Sequence, residues 1–290
     1  MKSNVSCQLV SIVVVCLLAL PQAASAWSDK GHRITAQVAE NTLTPKTREA
    51  LDAFIGTRQL AQLATWPDYI RSGTGWGFAT TWHWITVEDE RQLSGVLERS
   101  AETAVPDNVV EATNFLAAVL RGEEAETEAF TALMAESGAE PLAGSVKATA
   151  LAFITHFIGD MHQPLHVGRG GDRGGNSITV NWFDEQMNLH ALWDRGLINR
   201  EDLSYTEFTA FIEQEFARQA AAWSAGEPAD WAAESRALRY EVYEIWQRTD
   251  RENHLPDLGF QYSHDHIGTV KQRLFQGGVR LGALLNAIFD

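Results

Sequence analysis

Cysteine is almost absent from this chain. Its 290 residues include two, Cys7 and Cys16, and both fall in an N-terminal stretch that reads as a removable leader. A mature chain without them can form no disulfide. Its stability must come from a buried core, which a chain this long can build, and from any ions that cross-link it. Positive charge is also scarce: 23 Lys and Arg stand against 38 Asp and Glu, a formal net charge of −15. Such a surface repels a polyanion at long range and argues against a protein that grips nucleic acid through a basic face. It leaves room for an enzyme that meets phosphate on bound metal ions, whose charge offsets the acidity locally. Long apolar runs are missing as well. The one at residues 9–20 is too short to span a bilayer comfortably, no later segment is long and apolar enough to do so, and no repeat or linker is visible.

That short run follows Lys2 and precedes Ala24-Ser25-Ala26. Basic, then apolar, then small is the order of a secretory signal peptide, here cleaved after Ala26. Lipid attachment at Cys16 is disfavoured, because Val15 is bulkier than the small residue such processing needs. The expected organisation is a signal peptide at 1–26 and one domain at 27–290, starting at Trp27 and either periplasmic or secreted.

Helical signals dominate that domain. Ile34, Val38 and Leu43 give the first segment, 27–42, an apolar stripe. Thr44-Pro45 fits an N-cap followed by proline at the first helical position, opening 46–56. Residues 59–71 read as a short helix ending near Trp66-Pro67, 72–82 as a Gly- and Thr-rich loop, and 81–88 as extended. Residues 89–105 are polar and uninformative. Two amphipathic helices, 107–120 and 124–135, join at Gly122. The segment 146–161 is almost wholly apolar, so it belongs at the centre of the fold. Polar groups on it, His156 and Asp160 included, must be paired or metal-bound. Residues 168–176 form a glycine-rich loop and 177–183 a small strand. Ser204 and Glu207 make a capping box for a helix to about 223; further helices cover about 229–247 and about 262–288. The expected fold class is all-α: a single mainly helical domain with long loops and a small β-hairpin.

Chemistry concentrates between His156 and Asp194. Two HxxxD pairs lie there, His156 with Asp160 and His190 with Asp194. Residues four apart share a helix face, so each pair aims an imidazole and a carboxylate at one point. Converging nitrogen and oxygen donors suit zinc and similar divalent ions. Pro164 breaks the helix and lets His166 approach from a loop. A single HxxxD is ordinarily a satisfied buried pair. Two of them together with His166 are hard to explain by packing. His32, Asp68 and His83 lie at turn or helix-end positions, and each alone has a bland reading as a surface residue or a cap.

Taken together, these residues form a familiar order: W-x4-H at Trp27 and His32, WPDxIR from Trp66 to Arg71, WHW around His83, THFIGDMHQPLH ending at His166, GGN ending at Asn176, and NLHxLWD ending at Asp194. The pattern resembles the S1/P1 nuclease family, zinc-dependent single-strand nucleases with 3′-nucleotidase activity, over essentially the whole mature chain. The resemblance implies a fold of the phospholipase C / P1 nuclease type and three zinc ions. Asp68, His83, His156 and Asp160 would hold one ion. Asp160 would bridge to a second, held also by His32 and by the α-amino nitrogen and carbonyl oxygen of Trp27. His166, His190 and Asp194 would hold the third. The implied catalytic residues are Asp68, Arg71 and Asp160, and the implied substrate contacts are Arg71 to phosphate, Trp84 to a base, and Asn176. His162 would stay outside the ligand set, in the core or behind the ligands. The implied reaction cleaves single-stranded DNA and RNA to 5′-nucleotides through a metal-bridging hydroxide, and removes phosphate from 3′-nucleotides.

Arg71 read alone is a surface salt bridge and Trp84 a core tryptophan. Thr86 stands where fungal members carry an aspartate, which leaves base preference open. The missing cysteines point to a bacterial-type member, expected to be a monomer without a membrane anchor. Two rivals remain: a zinc-dependent phospholipase C, against which the short Trp27 to His32 spacing argues, and an exported zinc-binding protein without catalysis, against which Arg71 and Trp84 argue.

Overall fold

A computed structural model of the chain describes residues 27–100, 105–245 and 255–290. The expected signal peptide, both cysteines and His254 lie outside the described residues. In order, the helices are α1 (Asp29–Thr42), α2 (Pro45–Ile55), α3 (Leu60–Leu63), α4 (Trp66–Ile70), a 3-10 helix at Trp76–His83, α5 (Leu93–Ser100), α6 (Val109–Arg121), α7 (Glu124–Ser137), a 3-10 turn at Leu142–Gly144, α8 (Val146–Met161), a 3-10 turn at Pro164–Val167, α9 (Leu189–Ala191), a π-helical turn at Leu192–Gly196, α10 (Leu197–Arg200), α11 (Tyr205–Phe216), α12 (Ala220–Trp223), α13 (Pro228–Val242) and α14 (Phe260–Phe289). Strands β1 (Thr179–Trp182) and β2 (Glu185–Asn188) form the hairpin, and β3 (Asp257–Leu258) joins the other edge of β1 in parallel. The fold is mainly helical, as composition and periodicity predict. No described helix is long and apolar enough to cross a membrane.

Local signals set the helix ends. The Thr44 side chain accepts from Thr47 N–H with Pro45 in the first turn, Ser145 caps α8 through Ala148 N–H, and Ser204 with Glu207 forms the capping box. Helix α8 runs through the middle: every residue from Ala148 to Met161 is buried. It packs against α6, α1, α3 and α14. Phe153 and Phe157 meet Trp82, and Phe153 also meets Trp66 and Trp76. A second apolar cluster, around Trp193, Tyr262 and Leu274, joins α14 to the hairpin and to α11.

Several elements differ from expectation for identifiable reasons. Pro67 opens α4, where its missing N–H costs nothing, so the chain turns before Trp66. Residues 76–83 are helical because burying Trp76, Ala79 and Trp82 on the aromatic core overrides the Gly- and Thr-rich composition. Residues 84–88 are extended without forming an assigned strand: Ile85 N–H donates to His166 C=O and Val87 N–H to Gly168 C=O. Helix α5 lies within the stretch that gave no sequence signal, and the helix starting after Ser204 breaks at Phe216 before α12. His190 and Asp194 span the junction of α9 and the π turn instead of a regular helix.

Helices α1 and α14 cross where glycines remove side chains. A Cβ added at Gly278 would overlap the Val38 side chain and lie 2.8 Å from Thr35 O. We predict that Gly278→Ala lowers stability by about 1–3 kcal/mol through overpacking, despite the roughly 1 kcal/mol that alanine gains over glycine in a helix. Denaturant melts of the two proteins measure this, and equal midpoints would contradict it.

Candidate metal centre

The two HxxxD pairs and the distant Asp68, His83 and His32 come together on one side of α8. Among the described residues, three groups have donor atoms within 4.8 Å of one another: His32, His156 and Asp160; Asp68, His83 and His156; and His166, His190 and Asp194. Except for Asp68, all of these side chains are buried. Spacings within the groups are those of a coordination shell. His83 Nδ1 lies 3.1 Å from His156 Nε2 and 3.1 Å from Asp160 Oδ2. His156 Nε2 is 3.4 Å from Asp160 Oδ2, and Asp68 Oδ1 is 3.8 Å from His156 Nε2. His190 Nε2 is 3.1 Å from His166 Nε2 and 3.3 Å from Asp194 Oδ2. Ligands about 2.0–2.1 Å from a tetrahedral ion are roughly 3.3 Å apart.

Backbone carbonyls fix the imidazoles. His156 Nδ1 donates to Ala64 C=O at 2.7 Å, His166 Nδ1 to His83 C=O at 2.6 Å, and His190 Nδ1 to Gly174 C=O at 2.6 Å. A carbonyl can only accept, so each Nδ1 carries the proton and each neutral ring turns a lone pair inward on Nε2. The Nε2 lone pairs of His166 and His190 therefore face each other at 3.1 Å, a repulsive contact unless a cation lies between them. His32 stacks on His156 with ring centroids 3.7 Å apart. Neither of its ring nitrogens has a hydrogen-bond partner, nor has Asp160 Oδ1, and all three atoms are buried. Gly159 makes the stack possible, because a Cβ there would come within 2.9 Å of His32 Nδ1.

Electrostatics agree with the geometry. Burial holds His32, His83 and His166 well below the ordinary imidazole range, helped by neighbouring histidines, and lowers His190 to about 4. Burial also drives Asp160 well above the carboxylate range, with Asp68 adding to the effect. Asp194 rises through burial, against the hydrogen bond it accepts from Gln163. Neutral imidazoles next to carboxylates that resist ionisation form a site completed by a divalent cation. Oxygen and nitrogen donors in this mix suit zinc.

Asp160 turns one oxygen each way. Its Oδ1 lies 3.4 Å from His32 Nε2, and its Oδ2 faces His83 and His156. Trp27 is buried beside these groups, and Ser28 N–H donates to Asp194 C=O. Arg71 closes α4 with Nη1 3.5 Å from Asp68 Oδ1. Its charge opposes protonation of His83 and His190 and favours the ionised forms of Asp160 and Asp194, each a smaller effect than burial. Trp82 is the core tryptophan, while Trp84 is half-buried. Trp84 lines a cavity of about 410 Å³ with Arg71, Thr86, His166, His190 and Asn176.

His162 stays out of the groups. Its Nδ1 donates to Ile158 C=O and its Nε2 accepts from Arg280. His264 is exposed, and His266 is buried against Tyr262. Sequence reasoning missed Gln163, whose Nε2 donates to Asp194 Oδ1 at 2.6 Å while its Oε1 accepts from Leu165 N–H. It also missed Arg169 and Arg173 on the cavity wall. The available signal for Gln163 was an amide in a segment otherwise buried between two histidines.

Comparison with known proteins gives a consistent answer. The family profile described as S1/P1 Nuclease matches residues 27–290. Endonuclease 4 of Arabidopsis thaliana is 28% identical over 298 positions, covering 96% of this chain and 94% of that protein. Nuclease P1 of Penicillium citrinum is 28% identical over 284 positions, covering 90% of this chain and 97% of that protein. Nuclease S1 of Aspergillus oryzae is 28% identical over 183 positions, covering 62% of this chain and 57% of that protein.

Asp160→Asn is predicted to be the most damaging single change at the centre. Asparagine keeps the shape and loses the charge and one good donor oxygen facing two groups. Metal analysis should show a loss of more than one ion per chain; a variant with full metal content and most of its activity would rule out a bridging role.

Proposed function

The chain belongs to the S1/P1 nuclease family and is a nuclease, and from that premise we propose a zinc-dependent endonuclease acting on single-stranded DNA and RNA, with 3′-nucleotidase activity. The observation that carries the proposal is the cavity where Arg71 and Trp84 open directly onto His166 and His190. A cation for phosphate, an aromatic face for a base and a set of inward-facing lone pairs meet there. In this reading one zinc would be held by Asp68, His83, His156 and Asp160, a second by His32, Asp160 and the backbone of Trp27, and a third by His166, His190 and Asp194. Bound there, zinc would act as a Lewis acid toward the phosphate and lower the pKa of water enough to supply a nucleophile near neutral pH.

The side chains have separate roles. Arg71 neutralises non-bridging phosphate oxygens as charge builds on them, and Asp68 holds Arg71 in place. Asp160, which burial alone would keep protonated, would be held ionised by cations in the two groups it faces. Trp84 offers a stacking face, which tolerates any base, and Asn176 offers amide hydrogen bonds at the cavity rim. Water's oxygen bonds to phosphorus, the bond to the 3′ oxygen breaks, and that oxygen leaves with a proton. The products are a 5′-phosphate and a 3′-hydroxyl. A 3′-nucleotide presents the same bond with one nucleoside in place of two.

This reading includes export, with the leader removed before Trp27. An amine is a good zinc ligand, whereas a peptide nitrogen has no lone pair available. Mature protein starting at Trp27 and the same protein with one extra Ala in front should therefore differ sharply. The extended form is expected to lose one zinc and most of its phosphodiesterase activity with little change in circular dichroism. Full activity and three zincs in the extended form would remove the terminus from the ligand set.

Chelation should abolish hydrolysis of denatured DNA and lower the melting midpoint together, since ions bound only by the folded state stabilise it by mass action. Turnover of phosphatidylcholine with no nucleotide release would favour a phospholipase instead. Bound zinc with no turnover of either substrate would favour a storage protein.

A further inference from the structure

A phosphodiester has a nucleoside on each side of its phosphate, and the Trp84 cavity accounts for one. A second depression, of about 530 Å³, lies beyond Asp68 and is lined by Asp29, Arg33, Gln62, Thr65, Trp66, Asp68 and Tyr69. Asp68 belongs to this depression and Arg71 to the Trp84 cavity, and the two are joined at 3.5 Å. The two spaces thus adjoin at the Asp68–Arg71 pair.

Tyr69 is the conspicuous feature of this second side. It is 84% exposed, an unusual position for a large aromatic side chain one residue from a buried metal-binding cluster. The helix that carries it is nevertheless fixed. Trp66 packs edge-on to Trp76 and Phe153, with centroids 5.3 and 5.5 Å away, and Pro67 is buried. The exposed ring is therefore presented from a rigid support, which lowers the entropy lost when a flat ligand covers it. Arg33 adds a partly exposed guanidinium, 3.9 Å from Asp29, whose charge it offsets. Gln62 and Thr65 add hydrogen-bonding groups.

We infer that Tyr69 is a second base-stacking platform, for the nucleotide across the scissile phosphate from Trp84, and that it selects polynucleotides over mononucleotides. The inference rests on the nuclease reading above. A 3′-nucleotide has one nucleoside, which occupies the Trp84 cavity and leaves Tyr69 uncovered. An oligonucleotide covers both aromatic faces. Tyr69 thereby separates the two substrate classes at one centre.

The test compares kcat/KM for a short oligodeoxythymidylate with kcat/KM for a nucleoside 3′-monophosphate, in zinc-loaded wild type, Tyr69→Ala and Tyr69→Phe. The oligonucleotide-to-mononucleotide ratio should fall on the order of tenfold in Tyr69→Ala, the size that losing a stacking aromatic gives. It should return to near wild type in Tyr69→Phe, which keeps the ring. An unchanged ratio in Tyr69→Ala would overturn the inference, as would a parallel fall on both substrates or a Phe variant as impaired as Ala. Wild type inactive on both substrates would overturn the nuclease reading itself, which an active wild type with an unchanged ratio leaves standing.

Discussion

A helix buried along almost its whole length carries a carboxylate and an imidazole that water cannot reach. Asp160 and His156 on α8 are both fully buried, and an isolated carboxylate in that position is unfavourable by several kcal/mol. The fold meets this constraint by converging other donors on the same space. Helix α4 brings Asp68, the 3-10 helix brings His83, α1 brings His32, and the turn after Pro164 brings His166. What the assembly still needs is positive charge, which a divalent ion in each group would provide.

Rigidity at the centre comes from backbone carbonyls and from one buried arginine. Arg239 donates to Val87 C=O at 2.6 Å and to Val167 C=O at 2.9 Å, and it pairs with Asp89. It clasps the extended segment after His83 to the turn that carries His166. These two segments are otherwise joined through the hydrogen bonds of Ile85 and Val87. Behind α8, Glu234 accepts from both Arg273 and Arg280. Arg273 also donates to His162 C=O, and Ser235 donates to Met161 C=O. The carbonyls at the C-terminal end of α8 are thus capped by side chains of α13 and α14. His162 is held on that side, facing away from the donor groups.

An acidic enzyme for an acidic substrate becomes intelligible at this scale. The net charge of −15 is spread over the surface and screened within about 10 Å at ordinary ionic strength. Beside the donor groups the local positive charge is that of Arg71. Arg169 and Arg173 line the same cavity. Positive side chains are thus gathered at the cavity beside the donor groups, within reach of a phosphate held there.

Much of this was legible in the sequence. The apolar run of α8, the Thr44-Pro45 start, the Ser204–Glu207 box and the two HxxxD spacings all act locally, so composition and spacing alone specified a helical domain and a cluster of nitrogen and oxygen donors. Other features depend on residues far apart in the chain. Burial of Trp76 and Trp82 against Phe153 made a helix of a Gly- and Thr-rich segment. The carbonyls of Ala64, His83 and Gly174 decided which ring nitrogen of three histidines faces inward. Gln163 gained its role only when the chain fold brought Asp194 to it, and Tyr69 gained its place only when α4 docked beside the centre. Sequence by itself determined which donors exist and where the strongly patterned and capped helices form, because those depend on near neighbours. The tertiary structure alone decided how the donors face one another and which aromatic faces stay open, because those depend on long-range packing that leaves no periodic trace.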